Sequence, residues 1–267
     1  MTDGLDATIV LVRHGESTAI VEGRFQGQSN VHLSHTGQRQ AELVAARLAR
    51  PHASPALPVP TGPPLEIVHS PLARAAETAA AIGGALGTAD AFGFELSIRP
   101  EPGFMEVSQG RWEGLLATEV EARYGDELRA WRRDPLTTWA PGGESIVDVA
   151  EQRVRPALAA LLGRLADGRT AGLAERPQVL GMSATRDDQP WSIVVGHDGV
   201  FKLALLTLLD MPLRHFWSLP FELCGITIVE LVGGRARLRA HNLIDHLAPL
   251  EERAQAATDQ RERAGAL

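Results

Sequence analysis

The run Ala7-Thr8-Ile9-Val10-Leu11-Val12 constrains this chain more than any other stretch. It is apolar and β-branched, and it ends abruptly in Arg13-His14-Gly15. A continuous apolar run of this length, closed by glycine, reads as a strand buried on both faces of a sheet. In an open α/β sheet, ligands bind just beyond the carboxyl ends of such strands. Here that end carries a permanent cation and an imidazole. Gly15 is expected to let the backbone turn sharply and bring its N–H groups close to a ligand. Arginine beside histidine suits an anion that must be both held and attacked.

The remaining pattern alternates strands with helices. Residues 15–35 are a long Gly/Gln/Ser/Asn-rich loop, and loops of that length in a compact domain are usually functional. A helix is expected over 36–50, a strand over 65–69, and a helix from Ser70-Pro71-Leu72 to Leu86 with proline at its first position. A strand at 96–100 leads to a Gly-rich, aromatic loop at 103–114. Two short helices are expected within 117–133, and a long helix over 145–166 follows the break at Pro141-Gly142-Gly143. Trp191–His197 is a further β-branched strand ending in histidine, with a helix after it to Leu209. Residues 224–232 and 235–241 flank Gly233-Gly234 and read as a terminal hairpin. Residues 51–64 hold six prolines and, like 168–190, read as insertion loops, while 249–267 reads as a frayed charged tail. The expected fold is therefore a three-layer α/β sandwich: a mostly parallel central sheet with helices on both faces. No shift of composition divides it, so residues 1–267 are expected to form one domain.

Charge and cysteine usage narrow the function. A formal net charge of −7 argues against a nucleic-acid binder, which would show a basic face. No stretch approaches the length of a membrane helix, and the short acidic Met1–Asp6 segment does not read as a signal peptide. One cysteine, Cys224, allows no internal disulfide and reads as a small core residue. A cytoplasmic location is the expectation. Lys202 is the only lysine, so a cation that meets phosphate is almost always the planar, bidentate kind. No metal site is evident, because His241 and His246 with Asp245 fit no defensible ligand spacing. No cofactor is expected either.

Four segments recur at strand ends or helix starts: Arg13-His14-Gly15; His69-Ser70-Pro71-Leu72-Ala73-Arg74 through Thr78; Met105-Glu106-Val107 through Gly114; and Val195-Gly196-His197-Asp198-Gly199. In this order, over roughly Ala7 to Leu247, they resemble the motifs of the histidine phosphatase superfamily, the phosphoglycerate mutase-like fold. The resemblance implies a phosphatase acting on a small phosphorylated metabolite through a phosphohistidine. It implies catalytic roles for His14, Arg13, Arg74, Glu106 and His197. Ser17, Gln26, Gly27 and Asp198 match positions that touch phosphate or substrate. Ile20 stands where the family commonly has asparagine, which removes one polar contact.

The chemistry agrees with these residue types. Arg13 and Arg74 can each clamp a phosphoryl group through paired, charge-assisted hydrogen bonds. His197, protonated beside the dianion, adds a third cation. Backbone N–H groups at the start of the following helix can add donors. That leaves His14 as nucleophile through one ring nitrogen, with a loop carbonyl orienting the other. Glu106, its pKa raised by the facing phosphate, can protonate the leaving oxygen. Glu113 competes for this role, and only the resemblance favours Glu106. Singly, each residue has an ordinary alternative: a buried histidine, a helix-surface arginine, a solvated carboxylate. Arg214-His215 lacks the preceding strand and the glycine turn and receives no role. Trp112, Trp131, Trp139 and Trp217 read as packing groups. A mutase would pass the phosphoryl group back to substrate, but Leu115 to Ala140 is too short and too mixed in charge for the covering segment that mutases of this family share. A non-catalytic phosphate-ester-binding module is the third reading.

Overall fold

A computed structural model describes residues 4–88, 96–174 and 189–250. Its core is a six-stranded sheet ordered β3-β2-β4-β1-β5-β6. The strands are β1 (Ala7–Arg13), β2 (Glu66–His69), β3 (Ser97–Pro100), β4 (Trp191–Gly196), β5 (Ile226–Val232) and β6 (Arg235–Leu243). β1, β4, β2 and β3 pair in parallel, and β5 joins β1 antiparallel, so the sheet is mostly parallel. The β5–β6 hairpin turns at Gly233 and Gly234, with φ of +57° and +82°, values that suit glycine.

Alternation along β1 assigns the two faces. Ala7, Ile9 and Leu11 join Val194, Val229 and the side chains of α6 (Arg155–Ala174) and α7 (Asp198–Leu208). Val10 and Val12 join Ile67, Ile193 and the side chains of α2 (His35–Ala49) and α3 (Ala73–Thr88). Ile9, Val10, Leu11 and Val12 are fully buried. A strand apolar on both faces therefore holds two helical layers apart, as the first residues of the chain require.

Several boundaries differ from the sequence expectation. α3 starts at Ala73, so Pro71 lies before the helix rather than at its first position. The two helices expected within 117–133 are present, meeting at non-helical backbone at Tyr124 within the run α4 (Ala117–Arg133). Ser145 caps α5 (Ile146–Val149), accepting from the Asp148 N–H, and a π-helical turn at Ala150–Val154 leads into α6. α6 continues to Ala174, so the 168–190 segment begins as helix. Its remainder to 188 lies outside the described residues. Residues 248–250 are helical, so the tail does not fray at its start, and the rest of it is outside the described residues.

Gly15 also differs. It does not open the backbone towards a ligand. Its N–H donates to the Thr78 hydroxyl at 3.2 Å, and a Cβ there would stand 2.6 Å from the Gly37 carbonyl oxygen. The two glycines let the loop after β1 lie directly on the first turn of α2.

Candidate active site

The register of the central strands assembles the site. Arg13 pairs with Gly196 and His69 with Val195, so the residues after β1, β2 and β4 emerge side by side. These are His14, Ser70 and His197. The His14 and His197 ring centroids lie 5.0 Å apart at 60°, and both rings are buried.

Hydrogen bonds sort the ring nitrogens. His14 Nδ1 is 2.6 Å from the Gly15 carbonyl oxygen, an acceptor, so Nδ1 carries the proton. The loop carbonyl anticipated for this purpose is thus Gly15's own. His14 Nε2 keeps its lone pair and accepts from Arg74 Nε at 3.2 Å. Burial, then the charges of Arg74 and Arg13, hold this imidazole well below its ordinary pKa. Its neutral form is thereby favoured. His197 is likewise pushed well below its ordinary value by burial first and then by Arg74, His14 and Arg13. It is therefore not a standing third cation, because burial and the neighbouring guanidiniums disfavour its proton. Its Nε2 sits 2.8 Å from Ser70 Oγ, while its buried Nδ1 has no hydrogen-bond partner.

Arg74 is 1% exposed. Besides His14 it donates from Nη1 to Ser29 O and from Nη2 to Gly27 O, each at 2.9 Å. It is thus not a free bidentate clamp: each terminal nitrogen has one N–H committed to the loop after β1. Desolvation lowers its pKa to about 10. Arg13 Nη1 donates to Phe221 O at 2.5 Å, and its buried Nε has no partner.

Glu106 arrives from the loop after β3. Its carboxylate accepts from Val107 N at 2.9 Å, Gly199 N at 3.2 Å and Val200 N at 3.1 Å. The start of α7 therefore holds Glu106, and these N–H groups are not donors to phosphate. Burial, then the Asp198 charge, raises the Glu106 pKa, with no phosphate needed. Glu113, its rival in the sequence, makes its hydrogen bonds elsewhere. It accepts from Gln28 N, Gln109 N and Ser108 Oγ at 2.9 to 3.1 Å and staples two loops together.

The four other expected contact residues separate. Ser17 Oγ caps the short helix α1 (Thr18–Val21) through Ile20 N and donates to Gln26 Oε1 at 2.7 Å. Its hydroxyl is buried and committed to the loop, so it is not a free phosphate donor. Gln26 keeps its amide N–H groups. Gly27 has φ +48° and contributes the carbonyl that holds Arg74. Asp198 is paired with Lys202 Nζ at 2.6 Å; a carboxylate so placed repels phosphate rather than binding it. Sequence reasoning missed Ser70, Gln28 and Arg153. Ser70 lay inside the second motif but read only as a helix cap. Gln28 Nε2 and Arg153 Nη1 and Nη2 hold the Met105 and Glu106 carbonyls, a support that no spacing rule reveals.

Beside Glu106 opens a cavity. Trp112 is buried, but Trp139 and Trp217 are 43% and 41% exposed and, with Trp131, line this cavity. They are walls as much as packing. Among the described residues, no group of three or more His, Cys, Asp or Glu side chains is placed to hold a metal ion, and no helix is long and apolar enough to cross a membrane.

The family model of the histidine phosphatase superfamily (branch 1) matches residues 9–174 and 176–244. A glucosyl-3-phosphoglycerate phosphatase of Mycobacterium tuberculosis is 32% identical over 212 residues, 79% of each chain. Phosphoserine phosphatase 1 of Hydrogenobacter thermophilus is 27% identical over 240 residues, 90% of this chain and 93% of that one. The native structure of the mycobacterial glucosyl-3-phosphoglycerate phosphatase superposes with a TM-score of 0.68 at 29% identity, covering 90% of this chain and 100% of that one.

Proposed function

The chain belongs to the histidine phosphatase superfamily, and from that premise we propose that it is a phosphomonoesterase that hydrolyses a small phosphorylated metabolite through a phosphohistidine. The observation that carries the reading is the tautomer of His14: Nδ1–H tied to Gly15 O, Nε2 left with its lone pair against Arg74.

On substrate binding, phosphoryl oxygens take over the Arg74 Nε–H and meet the Arg13 guanidinium. The dianion raises the pKa of His197 and brings its Nδ1 into play as a donor. His14 Nε2 attacks phosphorus, the phosphorus–oxygen ester bond breaks, and the departing oxygen takes the Glu106 proton. Glu106, now a carboxylate, accepts a proton from the water that attacks the phosphohistidine. The phosphorus–nitrogen bond then breaks, returning the lone pair to His14 and the proton to Glu106. The guanidiniums stabilise charge spread over the equatorial oxygens in both steps. Since Arg13, Arg74 and His197 supply the positive charge, no metal is assigned a role, and turnover is expected to persist in a chelator. Residues 1–267 act as one catalytic domain in this reading, which takes the location to be the cytoplasm.

The test is release of inorganic phosphate from 4-nitrophenyl phosphate by the purified protein and by His14→Ala. The wild type turns over and His14→Ala falls by at least about 10³-fold. Comparable turnover by His14→Ala overturns the proposal. Accumulation of an isomeric phosphate ester in place of free phosphate identifies a mutase.

A further inference from the structure

The leaving oxygen must meet Glu106, so the rest of the alcohol lies in the cavity that Glu106 walls. Two observations define what that cavity accepts. Its charges are already paired. Glu144 meets Arg153 Nη2 and Asp198 meets Lys202 Nζ, at 2.7 and 2.6 Å, and Glu106 carries a proton when it acts as acid. No Arg, Lys or His is among the described residues that line it.

Its walls are also aromatic. Trp131 and Trp217 meet edge to face at 4.8 Å and 87°, and Phe216 packs on Trp217 at 4.8 Å and 77°. The Lys202 ammonium, 5.0 Å from the Trp217 ring centre, braces the ring while its charge is spent on Asp198.

We infer that the alcohol portion of the substrate carries no charge of its own and lies against the tryptophans. The inference rests on the phosphatase reading and narrows its substrate class. It sets this chain apart from relatives named for glucosyl-3-phosphoglycerate and phosphoserine, because a substrate carboxylate would find no cation among the described residues that line this cavity.

The experiment compares glycerol 3-phosphate with 3-phosphoglycerate, which differ by a hydroxymethyl group against a carboxylate, using the full chain. The kcat/KM is expected to favour glycerol 3-phosphate by about tenfold or more. With glucose 6-phosphate, Trp217→Ala is expected to raise KM about 3- to 10-fold while kcat changes less, because the half-exposed ring contributes binding rather than chemistry. Equal or reversed preference within the glycerol pair overturns the inference, and an unchanged KM in Trp217→Ala overturns the role of the aromatic wall. 4-Nitrophenyl phosphate separates the two levels. If its turnover depends on His14 while the glycerol pair shows no preference, only the substrate class falls. Without His14-dependent turnover of any ester, both readings fall. The glycerol comparison needs no variant and so does not depend on how well Trp217→Ala folds.

Discussion

Glu106 and the two histidines owe their protonation states to the same burial, with opposite consequences. Desolvation raises the carboxyl and lowers both imidazoles. Glu106→Gln keeps the shape and removes the exchangeable proton. It should slow hydrolysis of an alkyl phosphate by about 10²-fold or more, because an alkoxide leaves badly without a proton. Formation of phosphohistidine from 4-nitrophenyl phosphate should suffer much less, since that leaving group departs as the anion. A rapid-quench comparison of the two esters reads the difference directly. The histidines make a separate prediction about stability. Their folded pKa values lie below the unfolded value of 6.5, so the unfolded chain binds more protons below that pH and stability is lost as pH falls. Glu106 acts with the opposite sign, its contribution being lost as pH rises through its raised pKa. Thermal melts at pH 7 and pH 5 should therefore show an acid loss in the wild type that shrinks in His197→Gln, where one of the two imidazoles is gone.

The elements that position these residues were legible in the sequence to the extent that periodicity and glycine report backbone shape. The run Ala7–Val12 announced a strand buried on two faces, and its first polar residues, Arg13 and His14, stand in the candidate site. Direction of pairing along β1, β4 and β2 then placed His14, His197 and Ser70 together. What could not be read was the use made of each N–H group. The start of α7 looked like a phosphate cradle and instead holds Glu106. Gly15 looked like a hinge at a ligand and is a contact surface for α2. Both depend on which neighbour arrives, and one chain's spacing does not encode that. The glycines make this testable. A Cβ at Gly37 would stand 1.9 Å from the Glu16 carbonyl oxygen, whereas one at Gly233 meets nothing within 4 Å. Gly37→Ala should cost about 2–3 kcal/mol or more, since backbone must move against backbone. Gly233→Ala carries only the strain of a positive φ, about 1–2 kcal/mol. Denaturant unfolding of the two variants measures the contrast.

At the scale of the whole molecule, a chain with a formal net charge of −7 brings Arg13 and Arg74 together at the carboxyl ends of the central parallel strands. An anion that binds there binds the folded state alone. Inorganic phosphate at about a hundredfold above its dissociation constant should stabilise the fold by about 2.7 kcal/mol, read as an upward shift of the melting curve. Arg13→Ala should abolish most of that shift, and added salt should reduce it. The two chemical partners are anchored unequally. His14 and Ser70 hang on backbone bonds to Gly196 and Val195 in the middle of the sheet. Glu106 stands on a loop tied by Gln28, Arg153 and the first turn of α7. Amide exchange at the nucleophile's end should then require global opening, while the acid's loop can detach in a smaller fluctuation. A molecule caught in that fluctuation would still take a phosphoryl group from a reactive ester yet fail to release it to water, so gentle warming should leave it trapped as the phosphorylated form before it melts.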